Sequence, residues 1–231
     1  MVNIINFSGG KDSTAMLLMM LEKGMQVDRI IFIDTTKEFS GIYSNIDLVR
    51  EMVLPLKIEV IPVAFDYFFS DVSKKSSSAE WTHGYGWPDW RHRWCTGLKK
   101  QAATKIANMY SRETCKQYIG LGFDEMKRKS KLCSSNAVYP LIDWKITGKK
   151  ALEYCNSLGL DWGGLYDRFH RSSCWCCPFK SIGDYRTLFL DYPDYWAQLE
   201  LMDKKSFRSF HTHRTVAELR ARFESETMKL L

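Results

Sequence analysis

Val2-Asn3-Ile4-Ile5-Asn6-Phe7-Ser8-Gly9-Gly10-Lys11-Asp12-Ser13-Thr14 decides how this chain is read. Residues 2–7 are short, apolar and β-prone. Ser8 to Gly10 is a glycine-rich turn. From Thr14 to Lys23 the chain is a helical run of Ala, Met, Leu and Glu, and Gly24 stands at the C-cap position. A strand, a glycine turn and a helix in that order form a phosphate-binding arrangement. Backbone N–H groups of the turn and of the helix N-terminus point at the anion. Gly9 and Gly10 are expected to allow close approach and to take φ > 0. Lys11 supplies a mobile positive charge, and Ser8 and Ser13 supply hydroxyls. Asp12 is positioned to cap the helix or to help hold Mg²⁺.

Working outward, the pattern repeats. Arg29–Ile33 reads as a second buried strand ending at Asp34-Thr35-Thr36. Ile42–Met52 reads as a helix and Ile58–Val63 as a third strand. Apolar strands alternating with helices predict an α/β fold, a doubly wound, mostly parallel sheet with helices on both faces. In such sheets ligands bind beyond the carboxyl ends of the strands, where the loops after Phe7 and Ile33 lie. Further strands are expected at Gln117–Leu121 and Val138–Leu141. Helices are expected at Gly97–Tyr110, Thr147–Leu158, Tyr192–Lys205 and Thr215–Lys229. Residues 1–180 are read as the nucleotide-binding domain, interrupted by a loop-rich insertion at about 70–96, and residues 181–231 as a helical extension.

Composition limits the function classes. The chain has 231 residues and is 45% apolar, enough for a sizeable core. No apolar run reaches the roughly 18 residues a membrane helix needs. Met1–Phe7 has neither the basic region nor the cleavage site of a secretory signal, so a cytoplasmic protein without a membrane partner is expected. A net charge of +6 suits anionic ligands and equally suits mere solubility. Seven cysteines, an odd number, argue against a disulfide framework.

Ser8-Gly9-Gly10-Lys11-Asp12-Ser13 is not the common G-x-x-x-x-G-K-[ST] loop. It resembles the signature of PP-loop ATP pyrophosphatases, which split ATP between its α- and β-phosphates and hold the leaving pyrophosphate in this loop. Asp34-Thr35-Thr36 resembles the segment carried there by phosphoadenosine phosphosulfate (PAPS) reductase-like proteins. That resemblance implies a place for Asp34 and Thr35 near the adenosine or its ribose. The other marks of the family follow in order. They are Arg93-Trp94-Cys95 before Lys99, Gly120-Leu121-Gly122-Phe123-Asp124-Glu125 with Arg128, Tyr139-Pro140-Leu141-Ile142-Asp143-Trp144, Leu165-Tyr166-Asp167, and Cys174-x-x-Cys177-Pro178. Gly120, Asp124, Glu125 and Arg128 are thereby implied in nucleotide binding. Gly122 stands where the family usually has Arg.

Two departures set this chain apart from the true reductases. The Glu-Cys-Gly-Leu-His tail with its nucleophilic cysteine is absent, and the phosphate loop is intact where reductases usually have a degraded one. The resemblance therefore implies an ATP-dependent, adenylyl-transferring enzyme with Lys11, Asp12 and Ser13 as catalytic residues and ATP and Mg²⁺ as cofactors. Relatives with intact loops include the sulfate adenylyltransferase small subunit and the ATPase of DNA phosphorothioation. A sulfonucleotide reductase and a non-catalytic nucleotide-binding subunit of a modification or defence system remain open as alternatives.

Cys174-x-x-Cys177 places two thiolates in one tight turn, and Cys95 is a third, distant ligand candidate. Related reductases hold a [4Fe–4S] cluster with a Cys pair at the first position, where this chain has Trp94 before Cys95. Cys176 or His170 is the candidate fourth ligand. Zn²⁺ is the competing ion, and unmetallated thiols are the third alternative. From Trp81 to Trp94 the chain carries four Trp, two His and two Arg. This is either a stacking platform for nucleic acid or a small satellite core. Trp90, Arg91, Arg93 and Lys99 are the candidate acceptor-binding residues. The acceptor itself is not named by the sequence. Nucleic acid, a sulfur-donor protein and a second copy of the chain are the candidate partners.

Overall fold

In the computed structural model, residues 1–73, 83–111, 113–131, 136–169, 171–211 and 214–228 are described. The elements run β1 (Val2–Phe7), α1 (Lys11–Glu22), β2 (Arg29–Asp34), α2 (Ser40–Met52), β3 (Ile58–Pro62), α3 (Trp94–Ala107), β4 (Cys115–Ile119), β5 (Ala137–Val138), α4 (Pro140–Asp143), α5 (Gly148–Ser157), α6 (Leu165–Arg168), α7 (Ile182–Asp191), α8 (Pro193–Lys205) and α9 (Val216–Met228). The chain folds into two compact units. The first comprises residues 1–34, 39–63 and 99–165; the second comprises 35–38, 64–98 and 166–231. The sequence reading drew its line at 180. By contacts, the aromatic segment and the Cys174–Pro178 turn group with the C-terminal helices.

The first unit is a parallel five-stranded sheet in the order β3-β2-β1-β4-β5. Every strand pair is parallel, with Ile5 opposite Ile30 and Tyr118, and Ile30 opposite Ile58. The chain winds outward from β1 through β2 to β3, then returns to lay β4 on the other side of β1. The space beyond the ends of β1 and β4 is therefore the topological switch point of a doubly wound sheet.

Alternation along the strands gives each face its own cover. Ile4 and Ile31 share one face and pack with Ile106 of α3 and with Cys115. Phe7 and Phe32 share the other face and meet edge to face at 6.5 Å, with Tyr43 of α2 against Phe32 at 6.3 Å. A strand buried on both faces must be apolar throughout, as Ile4-Ile5 and Ile30-Ile31-Phe32 are. Helix α1 is buried almost all round, from Ser13 to Leu18 and at Met20, and packs on α5. This is why its run of Ala, Met and Leu shows no polar stripe.

The second unit is helical and aromatic. Trp87, 1% exposed, sits at its centre. It stands edge-on to Phe69 and Phe210, each at 4.8 Å, and its indole N–H donates to Asp203 Oδ1 at 2.8 Å. Phe189, Trp196 and Phe223 join α7, α8 and α9. Ser181 and Asp184 form a reciprocal capping box at the start of α7, and Pro193 opens α8. No helix among the described residues is long and apolar enough to cross a membrane.

Ile5 is fully buried in the central strand. Its truncation leaves a cavity that flanking strands and α1 cannot close, so Ile5→Ala is expected to lower unfolding free energy by about 2–5 kcal/mol in urea denaturation.

Candidate functional site

Helix α1 begins at Lys11, three residues before the expected start. Its N-cap, Gly10, is extended at φ −84° and has no side chain with which to cap the first turn. The glycine pair is thus divided. Gly9 takes the left-handed conformation at φ +74°, whereas Gly10 does not, contrary to the expectation for both. A Cβ at Gly9 would also lie 2.8 Å from Ile46 of α2.

The turn is held from inside by its own serines. Ser8 and Ser13 hydroxyls are 2.9 Å apart, Ser8 N–H donates to Ser13 Oγ at 3.0 Å, and Ser13 Oγ donates to the Gly10 carbonyl at 3.0 Å. It is also held by a residue far along the chain. The Trp162 indole N–H donates to the Gly9 carbonyl at 2.7 Å, and Trp162 is 2% exposed.

The loop after β4 closes against this helix start. A Cβ on Gly120 would fall 2.6 Å from Ser13 Cα and 2.7 Å from Ser13 N, so only glycine fits. Two residues past Gly122, Asp124 turns back to accept the Gly148 N–H at 2.9 Å, at the start of α5. Lys11 Nζ lies beside Gly148 and contacts both carboxylate oxygens of Asp12 at 2.9 Å. Burial holds the Asp12 carboxyl above its ordinary range. Lys11 opposes that shift, while Glu125 and Asp124 add to it. Arg128 is directed at Glu125, at 2.7 Å. The structure therefore brings Ser8, Gly9, Gly10, Lys11, Asp12, Ser13, Gly120, Asp124 and Glu125 into one neighbourhood, with Arg128 attached through Glu125.

Asp34 ends β2 and accepts a hydrogen bond from Tyr43 at 2.8 Å. The next four residues belong to the second unit. There the buried Thr35 hydroxyl finds no hydrogen-bond partner among the described residues, and Thr36 adopts φ +60°. A non-glycine residue in that region is uncommon and clusters at ligand clamps.

In the second unit the thiols come near one another without converging. Cys174 Sγ lies 3.5 Å from Glu38 Oε1. Burial pushes the Cys177 thiol up, with the Phe179 N–H and Lys180 opposing and Cys95 adding. Cys176 is buried and held well above the usual thiol range. Among the described residues no three His, Cys, Asp or Glu side chains are gathered closely enough to hold a metal ion, and His170 lies outside those residues. Cys95, Cys174 and Cys177, the candidate ligand set, all lie in the second unit, with Cys174 beside Glu38 and Cys95 near enough to Cys177 to act on its thiol.

The aromatic segment divides. Trp87 and Trp94 are structural, Trp94 donating to the Gly86 carbonyl at 3.0 Å and packing on Phe65 at 4.9 Å. Trp90 is 71% exposed. Trp81 lies outside the described residues. Trp90, Arg91 and Arg93 belong to the second unit and Lys99 to the first, so no single unit joins the four acceptor-binding candidates.

A family model described as the phosphoadenosine phosphosulfate reductase domain matches residues 3–188. The chain belongs to this family. The match takes in the phosphate loop, the Gly120–Glu125 segment and the Cys174–Cys177 turn, so the loop geometry above belongs to a PAPS reductase-type domain. A curated relative, an uncharacterized protein of Methanocaldococcus jannaschii, is 23% identical over 209 residues. The alignment covers 85% of this chain and 40% of that relative, so the chain spans about two fifths of the length of the protein it matches. Among solved structures, the U34-tRNA thiolase NcsA from Methanococcus maripaludis with its [4Fe–4S] cluster aligns at a TM-score of 0.44 and 14% identity, covering 87% of this chain and 71% of that one.

Sequence reasoning missed Trp162 and Gly148, which support the loop from behind. Behind the same loop Cys155 is buried, its Sγ 3.6 Å from the Lys11 carbonyl. Burial pushes that thiol up to about 12. At pH 8 only about one molecule in ten thousand carries the thiolate there. Iodoacetamide is expected to leave Cys155 unmodified in the folded protein and to alkylate it after unfolding, read by peptide mass spectrometry.

Proposed function

We propose that this chain is an ATP pyrophosphatase that transfers the adenylyl group of ATP to an acceptor and releases pyrophosphate. One observation carries the reading. The intact turn Ser8–Ser13 stands at the switch point of a parallel sheet, opening a helix whose N-cap has no side chain. The first-turn amides of such a helix, together with its dipole, favour an anion. A sulfonucleotide reductase has no β,γ-pyrophosphate for this turn to hold.

In the proposed reaction an acceptor oxygen attacks the α-phosphorus. The new bond joins that oxygen to phosphorus, and the bond between the α-phosphorus and the α,β-bridging oxygen breaks. The acceptor's proton passes to solvent or a base, and pyrophosphate leaves with the electron pair. Negative charge grows on the leaving group, and catalysis consists of meeting it with fixed donors. Lys11 is the mobile donor. Its ammonium rests on Asp12 and would move to the β,γ-phosphates when they arrive. Ser8 and Ser13, locked hydroxyl to hydroxyl, keep the turn open in the meantime. Asp34, steadied by Tyr43, is the residue we assign to the ribose.

Asp12 and Asp124 are the carboxylates that would hold Mg²⁺. The ion typically takes one or two carboxylates along with waters and substrate phosphates, so these residues fit without a dedicated cage. When bound, it would supply neutralisation of phosphate charge. The Asp12 and Asp124 carboxylates both face Gly148, and this grouping of negative charge favours a cation there. The cysteines of the second unit are assigned no step. Activation of the acceptor for later displacement by a sulfur donor extends this proposal, and membership of the PAPS reductase family supports it.

Lys11→Ala is expected to abolish acceptor-dependent pyrophosphate release, by about a hundredfold or more, while circular dichroism and the urea midpoint stay near those of the unaltered protein. Pyrophosphate release at the unaltered rate in that variant overturns the mechanism.

A further inference from the structure

Trp90 is the feature of the second unit that packing does not explain. The residue is 71% exposed, yet its ring has neighbours. It leans on Phe179, with centroids 4.9 Å apart, and the Arg93 guanidinium lies 4.5 Å from the same Phe179 ring and 6.0 Å from Trp90. The backbone beneath is fixed by Asp89, which accepts the N–H groups of Arg91 and His92, each at 2.7 Å. The charge of Asp89 is in turn met by Arg208 at 2.7 Å. Arg91 and Arg93 have no acidic side chain paired with them among the described residues. The segment is an aromatic, cationic platform.

A cleft of about 480 Å³ opens beside it, lined by Trp90, Arg91, Phe179, Lys180, Phe210 and His211 among others. That volume matches a ligand of nucleotide size. Lys180 is itself buried at 6% exposure and donates to Ser173 Oγ at 2.9 Å, so part of the positive charge is built into the floor. Asp89, the one carboxylate among the described lining residues, is met by Arg208. An aromatic wall with unpaired guanidinium groups asks for a flat ring carrying a neighbouring negative charge.

We propose that this cleft binds an unpaired nucleobase and its adjacent phosphate, presented by single-stranded nucleic acid. Trp90 stacks on the base and Arg91 meets the phosphate. As an account of the acceptor, this inference rests on the adenylyl-transfer reading; as a binding site it stands without ATP.

The test is fluorescence anisotropy of labelled short single-stranded RNA and DNA oligonucleotides with the full chain, in the absence of ATP. Binding that weakens steeply with salt is expected. Trp90→Ala is expected to weaken it about tenfold or more, Trp90→Phe to restore most of that loss, and Arg91→Glu to weaken it about tenfold and flatten the salt dependence. Trp90 and Arg91 are exposed, so these variants are expected to fold, which circular dichroism checks. Lys11→Ala is expected to bind oligonucleotide normally, which separates failure of this proposal from failure of the adenylyl-transfer reading. Three results each overturn the proposal. One is binding unchanged by both the Trp90→Ala and Arg91→Glu substitutions, or absent altogether. The second is AMP competing as well as the oligonucleotide, which makes the cleft a mononucleotide site. The third is polyglutamate competing equally, which makes it a site for acidic peptide or for charge alone.

Discussion

Two backbones meet where a single methyl group would keep them apart. The first turn of α1 and the loop leaving β4 touch at Ser13 and Gly120, with no room for a Cβ between them. This contact exists because β4 lies directly beside β1 and both strands end at the same edge. From it follows the position of the helix start, and hence the direction of the amides that face the switch point. The serine pair and the Trp162 bond to Gly9 then hold the turn from two further sides. Displacing any of these groups would re-aim a site whose proposed catalytic contribution is electrostatic positioning.

The sheet was legible in the sequence because its signals are local. Strands buried on both faces must be apolar, and Val2–Phe7 and Arg29–Ile33 announced themselves that way, whereas the half-exposed edge strand β3 is legible through its β-branched Ile58, Val60 and Ile61. Helix α1 began earlier than its apolar run, since Lys11, Asp12 and Ser13 form the first turn and their polarity disguised it. Likewise β4 begins at Cys115 and not at Gln117, because its alternation is weak at the start. Gly120, Asp124 and Glu125 were legible through family resemblance. Trp162 and Gly148 were not, since their roles come from the close packing of α5 and its neighbours behind the loop, and no spacing rule reports it. The capping signature Ser181-x-x-Asp184 was available to mark α7.

The second unit shows the limits of spacing arguments. Cys174-x-x-Cys177 does form a tight turn, with the Cys177 N–H donating to the Cys174 carbonyl at 3.1 Å. What the spacing left undetermined is where each thiol points; Cys174 Sγ lies beside Glu38. The aromatic segment posed a choice between core and platform, and the residues divide between the two. Trp87 and Trp94 have indole N–H partners and buried neighbours, as core tryptophans require. Trp90 has a supported face and an open one. Sequence composition treats these three alike, and only the tertiary packing separates them.

The central claim is that the Ser8–Ser13 turn is a seat for the outer two phosphates of ATP. The most direct measurement is a crystal structure of the protein with an ATP analogue whose α,β-bridge resists cleavage, in the presence of Mg²⁺. The account predicts β- and γ-phosphate oxygens within hydrogen-bond distance of the turn's backbone amides, with the Lys11 ammonium drawn from Asp12 onto them. A nucleotide bound elsewhere, with Lys11 still resting on Asp12 and the turn unengaged, would contradict it.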